Sequence, residues 1–386
     1  MKQRHVMLAI YPPIPLRYGG IALYAKEHNW HITIADRLVR SPSPAGWSGD
    51  GAMVTLRDEP GLVRFATGLM KRGVPVVDLT YYRPEIAVPR CIPDYESAGR
   101  AGAKHLREIG MKRVVWFSTF WSNVHDLFYK GFSEEWASLN PVGSAPPPAK
   151  IVVSERVPRT RLDDHRRLVR VFTPILREME KPCGVLTYND EDAARLEWLC
   201  LEAGVRVPDE IAILGIANDT LVCENQQIPI SSVVGNLSRN GYEGAALLDR
   251  LMNGEPPPER PLLVPCGEIV QRRSTNCVAV DNPVLRKALE IIAEEFVNPP
   301  SAPQMAERVG VSRATLDRLF ARDLDRSMRD EIMRRRLDKA KSLLRKSVMP
   351  VRDIAAACGF CNAGHFVNTF KSVCGTTPAN WRETQA

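Results

Sequence analysis

Residues 301–382 constrain this chain more than any other stretch, because they carry one local grammar twice. In SAPQMAERVGVSRATLDRLF a short helix is expected over Ala302–Val309, broken at Gly310. Glycine there supplies the left-handed backbone of a tight helix–helix turn. Ser312 then opens a second helix, where its hydroxyl can accept from free N–H groups. Ala306, four residues before Gly310, falls where two helices cross too closely for a larger side chain. Leu316 and Phe320 lie one turn apart and face a core. About 50 residues on, as a repeat requires, MPVRDIAAACGFCNAGHFVNTFK restates the pattern. Ala355 precedes Gly359 by four, and Phe366 and Phe370 stand four apart. Between the units, Met328–Lys346 reads as one long helix. Its apolar stripe is Ile332, Leu337, Ala340, Leu343 and Leu344. Arg334, Arg335, Arg336, Lys339, Lys341, Arg345 and Lys346 cover the rest. Such a run is ordinarily a solvated face; flanked by two helical units, part of it is expected near phosphate.

The outer face of the second helix carries Arg313, Thr315 and Arg318. That face fits the major groove of DNA, where Arg bridges O6 and N7 of guanine. The tail CGTTPANWR completes the pattern. Gly359-Phe360, Phe366, Phe370-Lys371, Gly375, Thr377-Pro378 and Trp381-Arg382 agree at once with the AraC/XylS family of transcription regulators. The resemblance covers about the last 100 residues, and the alternative of a helical bundle with two chance turns does not explain so many spaced agreements. It implies that Arg313, Ala314, Thr315 and Arg318 face the first groove. Arg318 is the favoured base contact; the competing reading is a surface arginine on phosphate. The second unit would present Asn362, Ala363, Gly364, Val367 and Asn368. Asn reads adenine, but Ala363 and Gly364 offer no side-chain hydrogen bond to a base edge, so the first helix should carry more sequence information. His365 stands where an aromatic is frequent and is expected to pack or touch phosphate; Lys371 completes the DNA-facing set.

At 386 residues the chain should hold two or three domains. Its 44% hydrophobic and 25% charged content is that of a soluble protein with real cores. From Asp281 onward there are 18 Lys and Arg against 13 Asp and Glu, whereas the preceding 280 residues carry 34 against 32. The basic excess therefore lies with the repeat, as polyanion binding requires. No run of 18 apolar residues exists, so no membrane span is expected. The start, MKQRHVMLAIYPPIPL, is read as a first buried strand, not a secretory signal. Nine cysteines, an odd number, suggest reduced thiols in the cytoplasm.

Upstream of the repeat, strands alternate with helices of 10 to 15 residues, which implies a mainly parallel sheet covered on both faces. Strands are expected at 5–11, 31–35, 52–56, 73–79 and 112–117, with helices at 17–28, 60–72 and 94–110. A turn-rich loop falls at 41–51. A helix at 128–139 and a proline-rich loop at 141–150 lead into a second alternating series. It has strands at 151–157, 183–188 and 230–234 and another within 204–219. Its helices fall at 163–180, 191–203 and 240–253, and an extended segment closes it. Two such series in tandem predict two lobes with a cleft between them. VRVPDEIAILGI, NDEDAARLEWL, ISSVVGN and PLLVPCGEIVQRRST resemble the ligand-binding core of LacI-type repressors and periplasmic sugar-binding proteins. The fold class expected is thus α/β: a two-lobed periplasmic-binding-protein-like domain over residues 1–275 for effector binding and dimerisation. A hinge at 276–283 and an all-α AraC-type domain at 284–386, with two helix-turn-helix motifs, follow. Its first helix is expected over 284–297.

In open α/β sheets, ligands sit beyond the carboxyl ends of the strands. Tyr11, Arg17, Asp78, Trp121, Asn189, Asp190, Asn218 and Asp219 occupy such loops. Planar polar groups suit sugar hydroxyls and aromatic faces suit the ring. The competing reading is that Asn and Asp at strand ends cap helices. By the resemblance, Asn189 matches an Asn of the sugar-binding family. Three contacts depart from it: Ala217 stands in place of an Asp, Phe128 in place of an Arg and Gly235 in place of a Gln. The effector then either differs from a simple pentose, or the cleft serves dimer contact. Cys358, Cys361, His365 and Cys374 have a spacing loosely compatible with zinc, but the turn is explained without metal. No nucleophile elbow, phosphate loop or His-Glu-x-x-His occurs, so no catalysis, cofactor or metal is expected. The resemblance implies double-stranded DNA and a small-molecule effector, a sugar foremost, as partners, with a homodimer and, for an activator, RNA polymerase. The rivals are a DNA-binding protein whose first 280 residues only dimerise, and an α/β sugar-metabolising enzyme with a basic appendage.

Overall fold

The computed structural model describes residues 3–11, 13–35, 46–57, 59–141, 143–276, 282–324, 326–346 and 349–385. It divides into two compact units, one of Met1–His105 with Arg113–Ser274, the other of Leu106–Lys112 with Thr275–Ala386. The segment expected as a hinge falls largely at 277–281, outside the described residues, as does 41–45 of the turn-rich loop.

The first unit begins with β1 (Arg4–Ala9), α1 (Pro15–Glu27), β2 (Trp30–Ile34), β3 (Gly51–Val54), α2 (Pro60–Lys71), β4 (Val76–Asp78) and β5 (Cys91–Pro93). Strands β1 to β4 form a parallel sheet in the order β2-β1-β3-β4. A parallel bridge from Asp78 to Arg90 leads towards β5. The chain then runs through α3 (Tyr95–Glu108), β6 (Val114–Ser118), α4 (Asn123–Leu139), β7 (Ala149–Val152), α5 (His165–Glu178), β8 (Cys183–Thr187), α6 (Asp190–Ala203), β9 (Ile211–Ala217), α7 (Thr220–Glu224) and β10 (Ser231–Val234). It returns through α8 (Leu237–Met252) and β11 (Leu262–Val264), and ends at β12 (Ile269–Val270). The second sheet has the order β12-β10-β9-β8-β6-β7, parallel except for β12. Strand β11 pairs with β5, so the chain crosses between the lobes after β5, after β10 and after β11.

The core explains the pattern. Every residue of β6 and β8 is buried, as a parallel strand covered on both faces demands. Helix α2 buries Leu62, Phe65, Ala66 and Leu69, the stripe of a helix lying on a sheet. Helices α1 and α8 cross at backbone contact: a Cβ on Gly20 would fall 1.8 Å from the Ser238 carbonyl oxygen, and one on Gly241 2.1 Å from that of Arg17. Only glycine permits such an approach.

Several boundaries moved. The strand expected over 151–157 is β7, ending at Val152, followed by a 3-10 turn at Val153–Glu155. Val153 and Val157 are buried from that turn, so their apolar character did not mean strand. Helix α4 begins at Asn123, five residues before the expected start; its first turn carries too few apolar residues to be periodic. Strand β5 and helix α7 were not expected; at three and five residues they are too short for a period.

The second unit is helical: α9 (Pro283–Glu295), α10 (Ala302–Val309), α11 (Arg313–Leu324), α12 (Met328–Lys346), α13 (Val351–Ala357), α14 (Ala363–Cys374) and α15 (Pro378–Gln385). It has two cores. Leu285, Ile292, Met305, Leu316, Phe320 and Ile332 form one; Leu337, Ala340, Leu344, Ile354, Phe366, Phe370 and Trp381 form the other. Helix α12 therefore gives its first half to one core and its second half to the other. Gly310 and Gly359 close α10 and α13 at φ of 77° and 78°.

Candidate nucleic-acid interface and effector cleft

In the second unit, Ser312 caps α11: its Oγ accepts from the Thr315 N–H at 3.2 Å and lies 2.8 Å from Thr315 Oγ1. The Thr315 hydroxyl is thus engaged locally. Arg313, Ala314 and Arg318 are exposed. Arg313 pairs with Asp317 at 3.6 Å and Arg322 with Asp323 at 2.6 Å. Arg318 has no partner among the described residues, so of the arginines on α11 its guanidinium alone is uncommitted. On α14, Asn362, His365, Asn368 and Lys371 are all exposed. Asn362 is spent on capping, its Oδ1 accepting from the His365 N–H at 2.8 Å. His365 lies with Nδ1 3.5 Å from Cys361 Sγ and its ring 5.7 Å from Phe360. Cys358 is buried, which pushes its thiol up to about 11. Among the described residues, no group of three or more His, Cys, Asp or Glu could hold a metal ion, and the eight described cysteines are free.

The basic run on α12 is not simply a solvated face. Glu331 is fully buried and meets Arg326 at 3.0 Å, Arg334 at 2.6 Å and Arg335 at 3.0 Å. Burial alone would raise the Glu331 carboxyl, but the arginines outweigh it and hold it below its ordinary value. Arg336 turns back to donate to the Phe296 and Val297 carbonyl oxygens at 2.9 and 3.0 Å. Arg334, Arg335 and Arg336 are therefore structural. Glu331 on the same helix face draws the first two inward.

In the first unit, a cluster of aromatic side chains lies beyond the carboxyl ends of β4, β6 and β8, where the sequence places an effector cleft between the lobes. Tyr82 and Tyr188 join hydroxyl to hydroxyl across it, and Asn123 Nδ2 donates to the Tyr82 carbonyl oxygen at 2.9 Å. His125 stacks on Tyr188 at 4.0 Å, and Phe120 and Phe128 each meet the Tyr188 ring at 5.9 Å. Arg57 lies over Tyr82, 4.5 Å from its ring centre, and donates to its hydroxyl at 2.8 Å. Burial holds His125 neutral, pushing it down to about 3.

The predicted residues divide by what their polar atoms do. Asp78 is fully buried. Its Oδ1 accepts from Leu56 N, Thr80 N and Thr80 Oγ1, and its Oδ2 meets Arg90 at 3.3 Å. Burial raises its carboxyl to about 6. Asp190 accepts from Ser232 Oγ at 2.5 Å and Asp219 N at 2.7 Å, tying α6 to β10 and to the loop after β9. Burial lifts it to about 7. Asn189 caps α6 by accepting from Asp192 N at 2.8 Å, and Asp219 caps α7 at Leu221 N. Asn218, at φ 57°, accepts from Arg272 at 2.9 Å. Trp121 donates to Asp126 at 2.9 Å and lies under Lys150. Tyr11 is exposed and held by main-chain bonds to Thr55. Arg17 is buried, with Nε donating to Asn240 Oδ1 at 2.8 Å. Sequence reasoning missed Arg57, Tyr82, Tyr95, His125 and Tyr188. Tyr82 and Tyr188 lie within four residues of chosen positions, and the strand-end rule, applied to aromatics as strictly as to Asn and Asp, would have found them.

Two family models match the chain, a periplasmic binding protein-like domain at residues 103–275 and a helix-turn-helix domain at residues 305–384. The protein is a DNA-binding transcription regulator in which a periplasmic-binding-protein-like domain precedes an AraC-type helix-turn-helix domain. It is a homologue of the xylose operon regulatory protein of Escherichia coli K12, 24% identical over 379 residues that cover 95% of this chain and 92% of that one. The solved structure of the xylose-binding transcription activator xylR covers 100% of this chain and 99% of its own, at a TM-score of 0.61 and 22% identity. A LacI family regulator from Enterococcus faecalis V583 with bound ribose covers 72% of this chain and 100% of its own, at a TM-score of 0.54 and 18% identity.

Proposed function

We propose that the protein is a cytoplasmic, effector-controlled transcription activator with no catalytic role, acting as a homodimer that recruits RNA polymerase. Residues 1–275 bind the effector and dimerise, residues 284–386 bind DNA, and 276–283 join them. The observation that carries this reading is the uncommitted, exposed Arg318 on a capped helix, at the position a groove-reading helix presents outward. Arg313, Ala314 and Thr315 accompany it in the first groove; Asn368, Lys371, His365 and Asn362 line the second. In the cleft, Arg17, Tyr11, Trp121 and Asn189 face a small carbohydrate. Asp78, Asp190, Asn218 and Asp219 hold the loops that shape its walls. The homologue's name points to a sugar, and the aromatic cleft suits a sugar ring. Effector binding favours one arrangement of the lobes and shifts the population of DNA-competent dimers.

A gel shift on the DNA upstream of the protein's own gene, with and without a panel of sugars, tests it. A retarded band with that duplex, absent with scrambled DNA and altered by one sugar, is the expected result. Turnover of a sugar without any selective band contradicts it. A selective band and no response to any effector leaves the first unit a dimerisation module.

A further inference from the structure

Arg17 presents a problem that a neutral sugar does not solve. It is 4% exposed, and its only hydrogen bond among the described residues is the one from Nε to Asn240. Neither Nη group has a partner among the described residues. Its electrostatic neighbours, strongest first, are Tyr95, Tyr82, Arg57 and Asp78. Tyr95 is 7% exposed, and its hydroxyl also has no partner among the described residues. Asp78, the carboxylate in this group, is committed to Arg90 and to three donors around it. Arg57 adds a second guanidinium, whose partner among the described residues is a neutral tyrosine. Arg17, Arg57, Arg90 and Asp78 thus carry three positive charges against one negative charge.

A buried guanidinium without a counter-ion is costly, and its desolvation is offset only by a close anion with good geometry. A fork of parallel N–H donors is the group that holds a carboxylate or phosphate by two bonds at once. We infer that the cleft takes an anionic carbohydrate, a sugar acid or a sugar phosphate, whose anionic oxygens accept from the free end of Arg17 and from the Tyr95 hydroxyl. Arg57 supplies the second positive charge. The rings of Tyr82, Tyr188 and His125 cover the apolar face of the sugar. The inference rests on the proposed reading of the cleft as an effector site and narrows the class of effector.

Isothermal titration calorimetry of the full chain at fixed salt decides it, with D-xylose, D-glucose, D-xylonate, D-glucuronate, glucose 6-phosphate and inorganic phosphate as probes. A charged probe should bind about tenfold or more tighter than its neutral parent. The acid and phosphate arms show which anion the cleft prefers. Arg17→Gln should remove that advantage, and Tyr95→Phe, which keeps the ring, should reduce it by a smaller factor. The wild-type comparison stands even if Arg17→Gln fails to fold. A neutral parent that binds as tightly as its charged partner overturns the anion assignment and leaves the effector site intact. So does a folded Arg17→Gln that still discriminates, or inorganic phosphate that binds as tightly as the sugar phosphate. No heat from any probe overturns the effector reading and this inference together.

Discussion

Asp190 illustrates how far single residues were legible. The sequence places Asn189-Asp190 at a strand end, where a ligand contact and a helix cap look alike. The structure shows Asn189 capping α6 and Asp190 buried between Ser232 and the Asp219 N–H. No spacing rule reveals those partners, because Ser232 is 42 residues away. Burial lifts the Asp190 carboxyl from 3.8 to about 7, and raises Asp78 and Asp192 to about 6. A carboxyl whose folded pKa lies above its unfolded value stabilises the fold fully below the unfolded pKa, and that contribution is lost as pH rises through the folded one. Scanning calorimetry from pH 6.5 to 8.5 should therefore show the first unit's transition falling with pH. Asp190→Asn, which keeps the shape and cannot ionise, should flatten the fall. Equal slopes in the two proteins would refute the assignment. His125, whose folded pKa is depressed, opposes this fall at the low end of the window, where the unfolded imidazole still titrates near 6.5; it does so equally in both proteins, so the difference between their slopes isolates Asp190.

At the scale of elements, regular pieces were legible and buried electrostatics were not. The limits of α10 and α12 agree with the sequence pattern residue for residue, because a glycine turn, a proline and a long apolar stripe mark them. The role of Glu331 was hidden. A glutamate three and four residues before two arginines reads equally well as an exposed pair or as a buried cluster. Only the packing of Ile332 and Leu337 on either side fixes which one holds. Removing one member of a buried ion cluster leaves the others uncompensated, at about 3–5 kcal/mol. Glu331→Gln should lower the stability of the helical unit by roughly that amount in urea titration. Arg313→Ala, which breaks only an exposed pair, should cost less than about 1 kcal/mol. Near-equal effects would mean that the Glu331 cluster is not what holds α12 in place.

For the whole molecule, the two-lobed α/β class and the helical tail were both legible, since alternation and the repeated turn grammar survive at low identity. The three crossings between lobes were less so. They depend on β5 and β11, each three residues long and paired with the other across a wide sequence gap. Tyr82 and Tyr188 were less legible, because an aromatic residue just past a strand end reads equally well as part of the core.

The central claim is that the helical unit reads base sequence chiefly through its first helix-turn-helix. Fluorescence anisotropy on the cognate upstream duplex and on a scrambled duplex of equal length tests this most directly, comparing the wild-type chain with Arg318→Ala. A base contact of this kind is worth about 1–3 kcal/mol, or roughly five- to 150-fold in affinity. The predicted result is a loss in that range on the cognate duplex with little change on the scrambled one. An equal loss on both would make Arg318 a phosphate contact, and no loss on either would contradict the account at its root.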